Sequence, residues 1–130
     1  MGEPDYARLL RFRTGLRRFV RWSDEQAAAA GVTPAQHQLL LAIRGSDAPR
    51  GPTISAVADA LLLQHHSAVG LVDRAVDAGL VQRVPDPDDR RVVHLRPTAR
   101  GARVLRHLSA AHEEELRRIA PNLEALFGPR

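Results

Sequence analysis

The chain has 130 residues, enough for one domain with a modest core and too few for two independent ones. Its 44% apolar and 26% charged content is that of a soluble globular protein, and no run of about 18 apolar residues is present to span a bilayer. The lack of cysteine excludes disulfides, thiolate zinc sites and thiol redox chemistry, and a net charge of +4 points only weakly to polyanions, since all nineteen cations are arginine in an alanine-rich chain, a coding bias of GC-rich genomes.

The opening residues, MGEPDYARLLRFR, mix acids and bases where a secretion signal needs an apolar segment, so a cytoplasmic location is expected. Across residues 5–30, Leu9, Phe12, Leu16 and Phe19 recur at spacings of three and four with Val20 beside them, which predicts an amphipathic helix ended by Gly31. Thr33-Pro34 places a capping hydroxyl before a proline at the first helical position, and a second helix runs to about Gly45. SDAPRGP reads as a loop. Thr53 or Ser55 caps a short third helix through Leu61, with Ile54, Val57, Ala58 and Leu61 inward. After a turn at residues 62–64, a fourth helix spans residues 65–78 and stops at Gly79. LVQRV and VVHLR are β-rich runs enclosing PDPDDRR, whose prolines and aspartates suit a hairpin loop. Thr98 caps a long helix over residues 99–120, with Val104, Leu105, Leu108, Ala111 and Leu116 along it. Pro121 breaks it before a last turn or two with Leu123, Leu126 and Phe127.

The order helix, turn, helix, basic hairpin predicts a mainly α fold with a small β-hairpin wing, a winged helix-turn-helix, and so DNA as the first partner to consider. On the fourth helix, Ala68, Leu71, Val72 and Ala75 share a face that packs on the third, while Ser67, Gly70 and Arg74 share another. A helix entering the major groove needs small or hydrogen-bonding residues at its leading end, where Gln64, His65, His66 and Ser67 stand. Gly70 costs about 1 kcal/mol of helix propensity; close approach to DNA and close packing within the protein both explain it.

These parts resemble the MarR family of bacterial transcriptional regulators, over essentially the whole chain. The family's Asp-x-Arg wing pattern followed by a strand and a Leu-Thr pair stands here as Asp89, Arg90, Arg91, VVHLR and Pro97-Thr98. TPAQ, SAVGLVDR and DPDDRR are also similar to family runs. Pro97 replaces the usual leucine, which removes a backbone donor and is expected to shorten the second strand. The resemblance implies that Asp89 stiffens the wing by pairing with Arg91 or receiving wing amides, while Arg90 and Arg91 reach the minor groove or its phosphates. In isolation DPDDRR would read as a solvated charged turn; directly after a recognition-helix pattern the DNA-contacting reading is preferred.

A compact winged helix needs only residues 34–98, which leaves the apolar faces of residues 5–30 and 99–127 uncovered. The resemblance implies a homodimer built by these terminal helices, with two recognition helices about one turn of duplex, ~34 Å, apart on a pseudo-palindrome. It also implies release of DNA by a small aromatic or anionic effector bound between the dimer helices and the DNA-binding lobe. Phe12, Trp22 and His37 are candidate lining residues and Arg13 a counter-charge, although core packing is the commoner role for Phe12 and packing or surface positions the commoner ones for Trp22 and His37.

No cofactor is expected. His65 and His66, adjacent on a helix, point about 100° apart and cannot share an ion. His107 and His112 are five apart, and HExxH is absent, so no metal ligands are assigned, a metal-responsive regulator being the alternative kept. An enzyme is not expected, for want of a phosphate-binding glycine loop or a Ser-His-Asp order at motif spacing. The run Glu113, Glu114, Glu115 reads as a solvated face pairing with Arg117 and Arg118. A winged helix used only for protein contacts would have no need of Arg90 and Arg91 at its wing tip.

Overall fold

A computed structural model describes residues 2–127. Five helices and one hairpin follow in order: α1 (Tyr6–Ala29), α2 (Pro34–Arg44), α3 (Ile54–Leu61), α4 (His65–Asp77), β1 (Val81–Pro85), β2 (Val93–Pro97) and α5 (Ala99–Phe127). Each start has a local cause. The Asp5 carboxylate accepts the Arg8 amide at 3.0 Å, and Thr33 and Gln36 exchange side-chain and backbone bonds at 3.1 and 3.0 Å in a capping box. Thr53, rather than Ser55, caps α3 by accepting the Ala56 amide. Thr98 caps α5 by accepting the Gly101 amide at 3.0 Å while donating to the Gly79 carbonyl at 2.6 Å.

The core forms where one face of each helix meets α2, which packs against α1, α3, α4, α5 and β2. Leu39 and Leu40 of α2, Val57 of α3, Val72 of α4, Leu80, Leu95 of β2 and Leu108 of α5 are fully buried there. The expected inner face of α4 holds, with Ala68, Leu71, Val72 and Ala75 all buried. On α3, Val57 and Ala58 are buried and Ile54 and Leu61 pack against the cluster.

The hairpin pairs Val81 with Pro97 through Pro85 with Val93. β2 is therefore not shortened at Pro97, because proline stands at the last strand position, where a missing donor interrupts no further pairing. The expected break at Pro121 does not occur: α5 continues through it to Phe127. Proline withholds one hydrogen bond, the one due to the Arg117 carbonyl, and both residues are exposed, so the carbonyl keeps solvent and the ring meets no packed neighbour. No helix among the described residues is long and apolar enough to cross a membrane.

Candidate nucleic-acid interface

Polar side chains concentrate on one end of α4 and on the wing. Gln64, His65, His66 and Ser67 are all exposed at the start of α4, and none of them spends its side chain on an internal hydrogen bond. Asp73, a carboxylate further along the helix, is drawn aside by Arg83 of β1. Gly70 and the exposed Arg74 continue this face. The nearest atom to an added Cβ at Gly70 would be the Arg74 guanidinium, 3.1 Å away at the end of a flexible side chain. Close packing within the chain therefore does not require this glycine.

The wing tip is built by two aspartates. Asp89 accepts the Arg91 amide at 3.0 Å and both Nε and Nη2 of the Arg91 guanidinium at 3.2 Å, so it pairs with Arg91 through backbone and side chain at once. These bonds hold the Asp89 carboxyl below its ordinary range. Arg90 is exposed and carries no carboxylate partner.

Asp86 does more and was not foreseen. Its Oδ2 accepts the amides of Asp88 and Asp89 at 2.9 Å, closing the tip, and its Oδ1 accepts His94 Nε2 at 2.8 Å. Arg50, from the loop before α3, approaches Asp86 at 3.4 Å and Asp88 at 3.5 Å. The other ring nitrogen of His94, Nδ1, lies 2.8 Å from the Gly51 carbonyl. A carboxylate and a carbonyl can only accept, so both nitrogens must donate, and His94 is an imidazolium that ties the wing to the 46–52 loop. The Asp86 bond, then the Gly51 bond, raise the His94 pKa above its ordinary value, and His94 in turn holds Asp86 well below the usual carboxylate range.

That anchor has a defined pH window. His94 has a raised folded pKa, so its contribution is complete below the ordinary imidazole value and is lost as pH rises through the raised one. Asp86 has the opposite dependence, failing only in strong acid. Wing amides are accordingly expected to lose hydrogen-exchange protection as pH rises from 6 to 9, a change that His94→Gln should abolish by loosening the wing at both ends of the range. Equal protection in the two proteins throughout would contradict the anchor.

The four residues expected around an effector do not gather. Trp22 and His37 come together through His112, whose ring centroid lies 4.8 Å from each of theirs. His112 Nδ1 donates to the Leu108 carbonyl at 2.6 Å, so in the neutral ring Nε2 accepts the Ser23 hydroxyl at 2.7 Å. His37 is buried, and burial followed by the neighbouring His112 lowers its pKa. Half-buried Phe12 and exposed Arg13 lie about 15 Å along α1 from Trp22, at 1.5 Å per residue. A cleft of about 420 Å³ between α1 and α5 is lined by Trp22 with Phe19 and Ile119, and by Arg11, Arg18 and Arg118. Phe12, Arg13 and His37 do not line it. No group of three or more His, Asp or Glu among the described residues is placed to hold a metal ion.

An α3–turn–α4 unit with an exposed polar leading end, followed by a hairpin with a cationic tip, defines a winged helix-turn-helix protein. Residues 30–92 match the MarR family model. The fold matches RV1404 from Mycobacterium tuberculosis (25% identity, TM-score 0.75, 93% of this chain and 82% of that one). It also matches wild-type MarR from E. coli (24%, 0.71, 97% and 96%). A third match is a MepR mutant of S. aureus bound to an oligodeoxyribonucleotide (18%, 0.71, 92% and 84%). No curated protein sequence matches the chain. Over residues 30–92 the chain is thus similar to the MarR family, and its fold is that of MarR family structures.

Proposed function

We propose that this chain is a sequence-specific DNA-binding transcriptional regulator, acting in the cytoplasm as a homodimeric repressor on a pseudo-palindromic operator. The observation that carries the reading is the start of α4, where Gln64, His65, His66 and Ser67 are exposed and uncommitted beside a glycine that no internal contact demands. The MepR mutant bound to an oligodeoxyribonucleotide, which shares the fold, supports it. Bases or nearby backbone meet Gln64, His65, His66, Ser67 and Gly70; Arg74, Arg90 and Arg91 supply charge to phosphate or the minor groove. Selection from a randomised duplex pool tests this: two half-sites about 10 base pairs apart should be enriched. Ser67→Ala or His66→Ala should then change the selected bases. A pool that returns no consensus overturns the reading.

The dimer follows from apolar surface left uncovered. Tyr6 and Leu10 of α1 are 65% and 64% exposed, and Leu9, Leu16 and Val20 of the same helix are exposed as well, as is Leu116 of α5. Light scattering at micromolar concentration should give twice the mass of one chain. In Leu10→Glu the dimer should weaken by about a hundredfold, since the substitution strikes both copies of a symmetric interface. A monomeric mass for the unaltered protein would refute the assembly.

An aromatic anion is the effector chemistry that the α1–α5 cleft suits, Phe19 and Trp22 offering rings and Arg11 and Arg18 positive charge, while Arg118 is held by Glu115 of the same lining. Of the four residues expected from the sequence, Trp22 lines this cleft and Phe12, Arg13 and His37 do not.

A further inference from the structure

We propose that the concavity between the end of α2, the 46–52 loop and β2 is a binding site for a small dianion, a phosphate monoester or a dicarboxylate, held by Arg44 and Arg96. The space measures about 430 Å³, and Arg44, Ser46, Gln82 and Arg96 face it with no carboxylate among its lining residues. Neither Arg44 nor Arg96 has an ion-pair or hydrogen-bond partner among the described residues. Elsewhere in the same lobe the guanidinium groups of Arg50, Arg83 and Arg91 are each held by an aspartate. Asp47 is exposed and does not line the space.

The polar groups presented there are matched to an anion. Ser46 Oγ already accepts the Ala48 amide at 3.2 Å, which leaves its proton to donate. Gln82 Nε2 donates to the Pro97 carbonyl at 3.3 Å and retains a second proton. With two guanidinium forks, the site has spare donors on four side chains, an arrangement that suits paired anionic oxygens. Two cations facing one concavity without a counter-ion also repel, and a dianion between them removes that cost.

The scaffold is fixed independently of any ligand. The Leu95 amide donates to the Pro52 carbonyl at 2.8 Å, laying the loop against β2. Gly51, at φ +94°, permits this approach: a Cβ there would stand 2.2 Å from the Leu95 carbonyl oxygen and 3.4 Å from Arg96 Cγ. Gln82 and Arg96 are cross-strand neighbours, while the adjacent Arg83 reaches Asp73 of α4. By strand alternation the side chains of Gln82 and Arg96 stand on the opposite face of the hairpin from that of Arg83.

The test is made on the protein alone, with inorganic phosphate and succinate titrated against chloride at constant ionic strength. At least one of them should raise Tm saturably, phosphate also broadening its own phosphorus resonance, with affinity falling roughly tenfold for each of Arg44→Gln and Arg96→Gln. Both residues are exposed, so the double variant should keep its fold by circular dichroism; if it does not, Arg96→Gln with the phosphorus measurement serves instead. A response to phosphate alone identifies the ester class and to succinate alone the dicarboxylate class. No saturable response, or the same response in the double variant, overturns the site. So does a loss of salt dependence in duplex binding by the double variant without any loss of anion binding, which would assign both arginines to DNA phosphate.

Discussion

Gly101→Ala is expected to destabilise the fold by about 2 kcal/mol, while Gly70→Ala, the same exchange on α4, should stabilise it by up to about 1 kcal/mol. A Cβ at Gly101 would fall 2.0 Å from the Leu80 carbonyl oxygen and 3.1 Å from Leu40 Cδ2. The first is backbone, and it sits between the Gly79 turn and β1, where the Thr98 amide bonds to the same oxygen at 3.0 Å. Relief requires α5 to lift from the hairpin at its capped end. Overpacking of this kind costs about 3 kcal/mol, against about 1 kcal/mol gained in helix propensity. The net loss lowers Tm by roughly 6–10 °C. At Gly70 only the mobile end of Arg74 must give way, so propensity dominates. That variant should melt higher yet bind duplex more weakly, because the added methyl lies on the face proposed to approach DNA. Thermal unfolding and duplex titration of both proteins decide the matter. Equal melting would remove the close contact from Gly101, and undiminished duplex binding by Gly70→Ala would remove Gly70 from the interface.

The contrast between these glycines shows which parts of the molecule sequence could reveal. Features with causes within about four residues were legible: the Thr33-Pro34 start, the inner face of α4, and the Pro and Asp hairpin loop. The lobe surrounding α2 was legible for that reason, and so were the exposed candidates of α4. Pro121 misled because the penalty for interior proline was applied without its surroundings, which are open to solvent. The wing anchor was invisible because Asp86, His94, Gly51 and Arg50 lie far apart in the chain and join only once the loop crosses β2. The junction of Trp22 and His37 was likewise invisible, because the residue that unites them, His112, comes from α5. Its neighbour Glu113 pairs with Arg117 as the surface spacing suggested. His37 and His94 also divide the pH response. His37, with its pKa lowered by burial, contributes stability above the ordinary imidazole value and loses it as pH falls, whereas His94 loses its contribution as pH rises. Both the helix junction and the wing anchor hold between the ordinary imidazole value and the raised one of His94.

Removing the wing cations is expected to weaken duplex binding roughly tenfold for Arg90→Ala and by more for Arg91→Ala, with specific and random duplex affected alike. Arg90 is the freer cation, so its loss should remove about one phosphate contact and lower the log-log salt slope by about 0.9 per subunit. Arg91 is partly neutralised by Asp89, which on charge alone would make it the lesser contributor. Its deletion nevertheless uncovers Asp89, whose carboxylate then faces phosphate without a counter-charge and without the guanidinium that fixed it. The second consequence outweighs the first, because an unpaired anion at a polyanion surface is repelled over the whole approach. A double-mutant cycle separates the two: Asp89→Ala added to Arg91→Ala should recover part of the lost affinity, although Asp89→Ala alone removes a wing bond and should weaken binding. Additive losses in that cycle would show that Asp89 acts only on wing geometry. A change in the selected sequence with unaltered salt slope would show instead that the wing reads bases.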